Sequence, residues 1–404
     1  MLRDRRLLAL LCAETVSTTG SQMTWLALPW FVLITTGSPG KMTLVLGSEA
    51  LGLILLSLPA GALLTRIGSR RTMMIADAVR APLTLAIPLL HWSGRLSFPL
   101  LLSLVFALGA LAGPYFAAQR ALVPELVGED ERLVGKANAF LQSAQRVTML
   151  LGPALAGVLI AWLGAASVLV IDAATYIASF ALVAAFIRVS HRRQAPDERG
   201  RFLDGLRFVV RDPLLRGWCV AFVVGDAAWM AFFAAVPVLV VSDYGADPRT
   251  AGLIFAAFGV GAVIGNAAAY RLQDRADGLL VVATLVYGQA VPLFVLVFDV
   301  PASAVVAALF VSGLFNGVVN PSIHALLTLS APLAIRARVL TALGSVLMLS
   351  APLGLAVAGP VLSAAGAHPV LIGFAVTQLF AMTFASFLSL RVRATRRARL
   401  ATAG

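Results

Sequence analysis

The sequence predicts an all-α polytopic membrane protein, with twelve transmembrane helices in two pseudo-symmetric six-helix bundles. Three observations predict it. The 404 residues are 60% hydrophobic and only 12% charged, with a mean hydropathy of +0.92, whereas soluble globular chains carry about 25% charged residues. Apolar runs long enough to cross a bilayer, about 20 residues each, recur twelve times. Basic residues gather in alternate loops between those runs. Such a chain cannot cover the surface of a soluble fold, which excludes a cytosolic enzyme, a disordered chain and a disulfide-stapled secreted domain. Cys12 and Cys219 lie in apolar runs and are silent about redox compartment.

The first run, 7–35, follows Arg3, Arg5 and Arg6. Its opening stretch Leu7–Ala13 is short and no small-residue cleavage site follows, so a retained span is expected rather than a signal peptide. The next five runs are 42–64, 73–92, 98–118, 137–161 and 166–187. After a long charged connection, 188–214, come 215–241, 250–270, 279–298, 302–327, 339–363 and 369–390. The net charge is +12 and 29 of the 31 basic residues are Arg. Twenty-six of the 31 lie in the two termini and the even-to-odd loops, counting Arg216 at the edge of the seventh run, against Lys41, Arg95 and Arg249 on the opposite side. This asymmetry predicts cytoplasmic termini and explains the basic balance without nucleic acid.

The long connection divides the chain into an N-terminal bundle (1–190), a linker (191–214), a C-terminal bundle (215–390) and a basic cytoplasmic tail (391–404). A shift of 204 residues superimposes Gly61 on Gly265, Gly109 on Gly313 and Gly113 on Gly317, and Arg120-Ala-Leu on His324-Ala-Leu. Duplication of a six-span unit explains this better than chance, and repeated halves are a common transporter plan. In the linker, Phe202, Leu203, Leu206, Val209 and Val210 recur at helical spacing beside Arg207 and Arg211, and Pro213 stops the segment. It reads as a short amphipathic helix on the cytoplasmic membrane surface or as a basic tether.

Several stretches carry a family resemblance. Gly61-Ala-Leu-Leu-Thr-Arg66-Ile-Gly68-Ser-Arg70-Arg71, between spans two and three, resembles the loop signature of the major facilitator superfamily, and Asp77 and Arg80 follow where many members have D-x-x-R. Gly152-Pro153-Ala-Leu-Ala-Gly157 is similar to the family's span-five antiporter motif. Residues Gln119 to Glu125, Lys136-Ala-Asn138 and Trp25-Leu-Ala-Leu-Pro-Trp30 resemble the macrolide-efflux and enterobactin-exporter branch. The resemblance covers nearly the whole chain and is strongest over 20–190. It implies the major facilitator fold, a cytoplasmic gate at Gly61, Arg66, Gly68, Arg70, Arg71, Asp77, Arg80 and Arg120, and a span-five bend at Gly152, Pro153 and Gly157 that favours export. Thr65 stands where the signature has its latch acid and Ser69 where it has an Arg. Asp77 could substitute as the anion. A degraded second copy, Gly265 to Arg275, retains Asp274.

Ionisable groups at membrane depth are expensive, about 2.5–3.5 kcal/mol on insertion scales, and so face a bundle interior or water. Glu14, with Ser17, Thr18, Thr19, Ser21, Gln22 and Thr24, makes the first half of span one too polar for lipid. Glu14 binds a proton or cation, or else makes a structural hydrogen bond. Asp226 lies about 16 Å into span seven, near the midplane, and a desolvated carboxylate suits proton loading and release. Arg146, about 14 Å into span five, is expected to pair with Asp172, Glu14 or Glu49, as a structural tie or a releasable switch. Glu49 and Asp172 suit gate or substrate roles. Trp25, Trp30, Phe31, Trp229, Phe232 and Phe233 are candidates for an apolar drug cavity or for interfacial anchors.

The sequence lacks a phosphate-cradling G-x-x-x-x-G-K-[ST] and a nucleophile–His constellation. Its four His residues lack metal-ligand spacing. No enzyme activity, cofactor or metal site is expected. The expectation is a proton-coupled secondary transporter that exports lipophilic small molecules such as a drug, antibiotic or siderophore-like metabolite by alternating access. It would act as a monomer in a bacterial cytoplasmic membrane, its partners being substrate, protons and lipid. Solute uptake, lipid passage and, in another class, a polytopic enzyme or sensor are the alternatives.

Overall fold

The computed structural model describes residues 5–57, 59–128, 130–189, 199–273, 278–333 and 335–403. Asp274 and residues 191–198 of the linker lie outside them. The described residues form helices α1 (Arg5–Thr36), α2 (Pro39–Ser57), α3 (Ala60–Ile67), α4 (Ser69–Trp92), α5 (Phe98–Val127), α6 (Glu131–Leu163), α7 (Ala165–Phe186) and α8 (Arg199–Arg211). Then come α9 (Pro213–Asp243), α10 (Pro248–Gln273), α11 (Gly278–Ala290), a 3₁₀ turn (Val291–Val297), α12 (Ala302–Ser330), α13 (Arg336–Leu347), α14 (Ser350–Ala365) and α15 (Ala367–Ala403). Among the described residues there is no strand.

Eleven segments are long and apolar enough to cross a membrane. The twelfth span is α1, whose polar first half lowers its hydropathy and whose Glu14 and Ser17 are buried inside the protein. Three expected spans are interrupted where proline removes a backbone donor. Span two divides into α2 and α3 before Pro59, which caps α3. Span nine ends in the 3₁₀ turn that carries Pro292. Span eleven divides into α13 and α14 at Met348–Leu349, four and three residues before Pro352. The basic tail is not a separate segment, since α15 continues to Ala403. The linker helix exists as α8, and its Gly205 lies against the backbone of Arg338 at the start of α13. Asp204 pairs with Arg338 there at 4.0 Å.

The chain forms two compact units: Met1–Pro196 with Gly245–Leu253, and Asp197–Tyr244 with Ile254–Gly404. Helix pairing inside them repeats. In the first, α1 packs on α6 and α7, α2 on α5, and α4 on α5 and α7; in the second, α9 packs on α14 and α15, and α11 on α12 and α15, while α10 meets α12 through glycine contacts. The cores repeat too: Leu10, Ala13, Ala76, Tyr115 and Leu141 in one, Leu215, Trp218, Val282, Val319 and Leu343 in the other.

Close glycine crossings fix the register of the repeat. A methyl group at Gly52 would overlap the Phe106 carbonyl and one at Gly109 the Glu49 carbonyl, where α2 crosses α5. At the corresponding crossing of α10 and α12, Gly261 meets the Phe310 carbonyl and Gly313 the Phe258 carbonyl. Gly52 therefore corresponds to Gly261. The match of Gly61 with Gly265 at the uniform shift of 204 is not a structural one: Gly61 has nothing within 4 Å of its Cβ position, whereas Gly265 packs on the Leu314 carbonyl. The shift is 209 residues in spans two and eight and 204 in spans four and ten.

Candidate functional site

The first unit encloses a polar pocket built from side chains of all six of its spans. Glu14 on α1 is fully buried. It accepts hydrogen bonds from Thr18 at 3.0 Å, from the Tyr115 hydroxyl on α5 at 3.1 Å and from Gln145 on α6 at 3.3 Å. Asp172 on α7 is also buried. It accepts from Thr24 at 2.6 Å and from Thr175 at 3.2 Å. Gly20 makes room for it, because a methyl group there would overlap the Asp172 carboxylate and Thr175. Asp77 on α4 is fully buried and accepts from Ser179 at 2.7 Å. Buried carboxylates persist only where such donors replace water.

The cation of the pocket is Arg80, one turn beyond Asp77. Its Nη2 donates to the Tyr176 hydroxyl at 2.7 Å. Its guanidinium lies 4.2 Å from the Tyr176 ring centroid and 5.7 Å from that of Tyr115. Arg80 interacts electrostatically with Glu14, Glu49, Asp77 and Asp172. Among the described residues, however, no ion pair joins it to a carboxylate. Arg80 Nε, Asp77 Oδ1 and Thr84 Oγ1, on one face of α4, are buried without a hydrogen-bond partner.

This differs from the expected pairing. Arg146 is exposed and takes no carboxylate partner among the described residues. Its neighbour Gln145 is the α6 side chain that reaches Glu14. A helix turns 100° per residue, so Gln145 and Arg146 cannot share a face. Arg80 and Asp77, expected as gate or helix-packing residues, lie inside the pocket. Gln22 places its Cβ and backbone against Gly152, and Gly157 meets Pro248 and Gly252, so these glycines are close-packing positions. Helix α6 runs unbroken through Pro153.

The loop after span two is held by other groups. Ser69 donates to Glu125 at 2.8 Å, and Arg70 donates to the Ala184 carbonyl at 3.0 Å. Gly68, at φ +88°, turns the chain from α3 into α4. Arg66, Arg71 and Arg120 are exposed, Gly61 likewise.

The second unit has the same frame without two of the charges. Gly354 packs on Ala227 as Gly152 packs on Gln22, so Cys219 occupies the place of Glu14. Ser386 donates to the Ala283 carbonyl at 2.8 Å. Gln378 donates at 2.9 Å to the carbonyl of Gly225, the glycine that matches Gly20. Phe258 takes the place of Glu49. Asp226 corresponds to Ser21, not to Glu14, and is half-buried without a hydrogen bond or ion pair among the described residues. One turn on, Trp229 replaces Thr24 and makes edge-on and tilted ring contacts with Phe232, Phe233, Phe258 and Phe374, at centroid distances of 5.4, 5.9, 4.6 and 4.9 Å. Phe232 and Phe374 are buried core. Trp30 and Phe31 are buried and Trp25 is half exposed.

Tyr115, Tyr176, Gln145 and Ser179 had no signal strong enough to single them out. Tyr176 and Ser179 do follow Asp172 by four and seven residues, the spacing of one helix face.

A family model described as transmembrane secretion effector matches residues 2–402. The multidrug efflux pump Tap of Mycolicibacterium fortuitum is 27% identical over 401 residues, covering 95% of each chain. The multidrug efflux pump Tap of Mycobacterium tuberculosis (strain ATCC 25618 / H37Rv) is 26% identical over 378 residues, covering 91% of this chain and 89% of the other. Among solved structures, the nucleoside transporter NupG superimposes with a TM-score of 0.74 at 12% identity over 95% of this chain and 98% of that one. A bacterial homolog of the human lysosomal transporter Spinster, inward-facing and unoccupied, gives 0.73 at 14% identity over 96% and 98%. At these identities the structural likeness shows the fold alone.

Proposed function

The chain belongs to the transmembrane secretion effector family, within the major facilitator superfamily, and from that premise we propose that it exports lipophilic small molecules in exchange for protons. Export is supported by similarity to the multidrug efflux pumps over nearly the whole chain. Proton exchange is supported by one observation: a buried pocket in which Glu14, Asp77, Asp172 and the half-buried Glu49 surround the single guanidinium of Arg80. Uncompensated charge is costly in a desolvated interior. Four carboxylates facing one cation reach balance only with protons bound, and each bound proton is available for exchange. The second unit supplies aromatic side chains around Trp229 and Asp226, a half-buried carboxylate without a hydrogen bond or ion pair among the described residues. That combination suits contact with a lipophilic substrate carrying a cationic group.

Alternating access is part of this proposal, in a cytoplasmic membrane, with both termini in the cytoplasm and the monomer as the working unit; repeated halves are a common transporter plan. A proton taken up outside would stabilise one arrangement, and its release inside would favour the other.

The test is accumulation of fluorescent lipophilic cations, macrolides and siderophore-like compounds in cells that express the chain. Expression should lower steady-state accumulation of at least one class, and a protonophore should restore it. Lowered accumulation that persists with the proton gradient collapsed would contradict proton coupling. Raised accumulation would establish uptake.

A further inference from the structure

We propose that Tyr176 is a positioning residue that holds the Arg80 guanidinium off the pocket carboxylates, so that they remain free to exchange protons. The inference rests on reading this pocket as the proton site.

The argument begins with an anomaly. A buried guanidinium among carboxylates ordinarily forms a direct, often bidentate, ion pair. Arg80 does not. It donates to a neutral hydroxyl at 2.7 Å and lies over that residue's ring at 4.2 Å. Meanwhile Arg80 Nε, a donor, and Asp77 Oδ1, an acceptor three residues away on the same helix, are both buried and both unpartnered. A buried polar group left unpaired is costly. Their pairing would relieve both, so something holds them apart.

Tyr176 is placed to do so. Its hydroxyl takes the Arg80 donor, shares a hydrogen bond with Ser21 on α1 at 3.0 Å, and neighbours the Asp172 carboxylate on its own helix. A hydroxyl is thereby interposed between guanidinium and carboxylate. Tyr115 closes the other side, with its ring 5.7 Å from Arg80 and its hydroxyl on Glu14. The groups that face Arg80 are Glu14 on α1, Glu49 on α2, Asp77 on its own helix, Tyr115 on α5, and Asp172 and Tyr176 on α7. Each carboxylate has its own hydroxyl, amide or helix-borne neighbours, and none has the guanidinium in contact. Without the Tyr176 hydroxyl, Arg80 has donors to spare and would turn to Asp77 or Asp172. A carboxylate locked to a permanent cation takes up a proton only in stronger acid, by about 1–3 pH units for a direct pair.

The experiment is a pH titration of the carboxyl stretching band by infrared difference spectroscopy on the purified full chain, wild type against Tyr176→Phe. The phenylalanine keeps the ring and removes only the hydroxyl. The titration midpoint should move at least about one pH unit towards acid. Ser21→Ala, which loosens the same hydroxyl from its second partner, should shift it less and in the same direction. A second variant also covers the case in which Tyr176→Phe fails to fold. Unchanged midpoints in the folded variants, or shifts towards base, would overturn the proposal. Transport is measured in parallel. A midpoint shift in a protein whose export ignores the proton gradient would retain the tyrosine's role and refute the proton-exchange reading.

Discussion

Arg80 has five donors in a buried place, and its hydrogen bond and ring contacts among the described residues are with tyrosines rather than carboxylates. Removing a buried charge partner ordinarily costs about 3–5 kcal/mol. Because Arg80 touches no carboxylate directly, Arg80→Gln should cost at or below the lower end of that range. It should nevertheless abolish proton exchange, since nothing then offsets the remaining anions. Thermal unfolding of the purified variant against wild type, with proton uptake measured alongside, checks both halves. Much of this pocket was legible in the sequence. Glu14, Asp77, Arg80 and Asp172 stand out as charged residues in apolar runs, and the polar stretch of span one marked the helix that faces inward. The pairing was not legible, because Arg146 and Arg80 look alike along a chain. Which guanidinium reaches the interior depends on helix rotation, and a single residue's step from Gln145 to Arg146 turns one inside and the other out.

At the scale of elements, close glycine contacts determine how helices cross. Gly109 lets α5 approach the α2 backbone at Glu49, and Gly313 does the same for α12 on α10 at Phe258. Gly109→Ala should therefore destabilise by about 1–3 kcal/mol, the usual cost of overpacking, because backbone rather than a flexible side chain stands in the way. Gly61→Ala is the contrast. Its Cβ would meet open space inside helix α3, so it should be neutral or stabilise by up to about 1 kcal/mol. Unfolding midpoints of the two purified variants test the pair, and equal losses would refute the packing account. The G-x-x-x-G spacing was readable in advance, as were the spans themselves. The breaks in spans two, nine and eleven were not, because apolar composition carries a run across Pro59, Pro292 and Pro352 even where the backbone cannot continue as α-helix. The uniform repeat shift missed for a related reason: loops between spans changed length independently, so Gly61 and Gly265 matched in number but not in place.

Across the whole molecule, duplication has been followed by division of labour. Two charged members of the first unit's pocket have neutral counterparts in the second: Cys219 for Glu14 and Phe258 for Glu49. Asp226, at the position of Ser21, falls two helical turns from Cys219, the position of Glu14. The proposed account therefore gives the two carboxylates different roles: proton exchange for Glu14 and substrate contact for Asp226. The most direct test is the collapse of a pH gradient in everted membrane vesicles after addition of an exported compound, measured for wild type, Glu14→Gln and Asp226→Asn. The account predicts collapse in wild type, none in Glu14→Gln, and in Asp226→Asn a response that survives for neutral compounds and weakens for cationic ones. A full response in Glu14→Gln together with none in Asp226→Asn, for every compound, would place proton exchange in the second unit and contradict it.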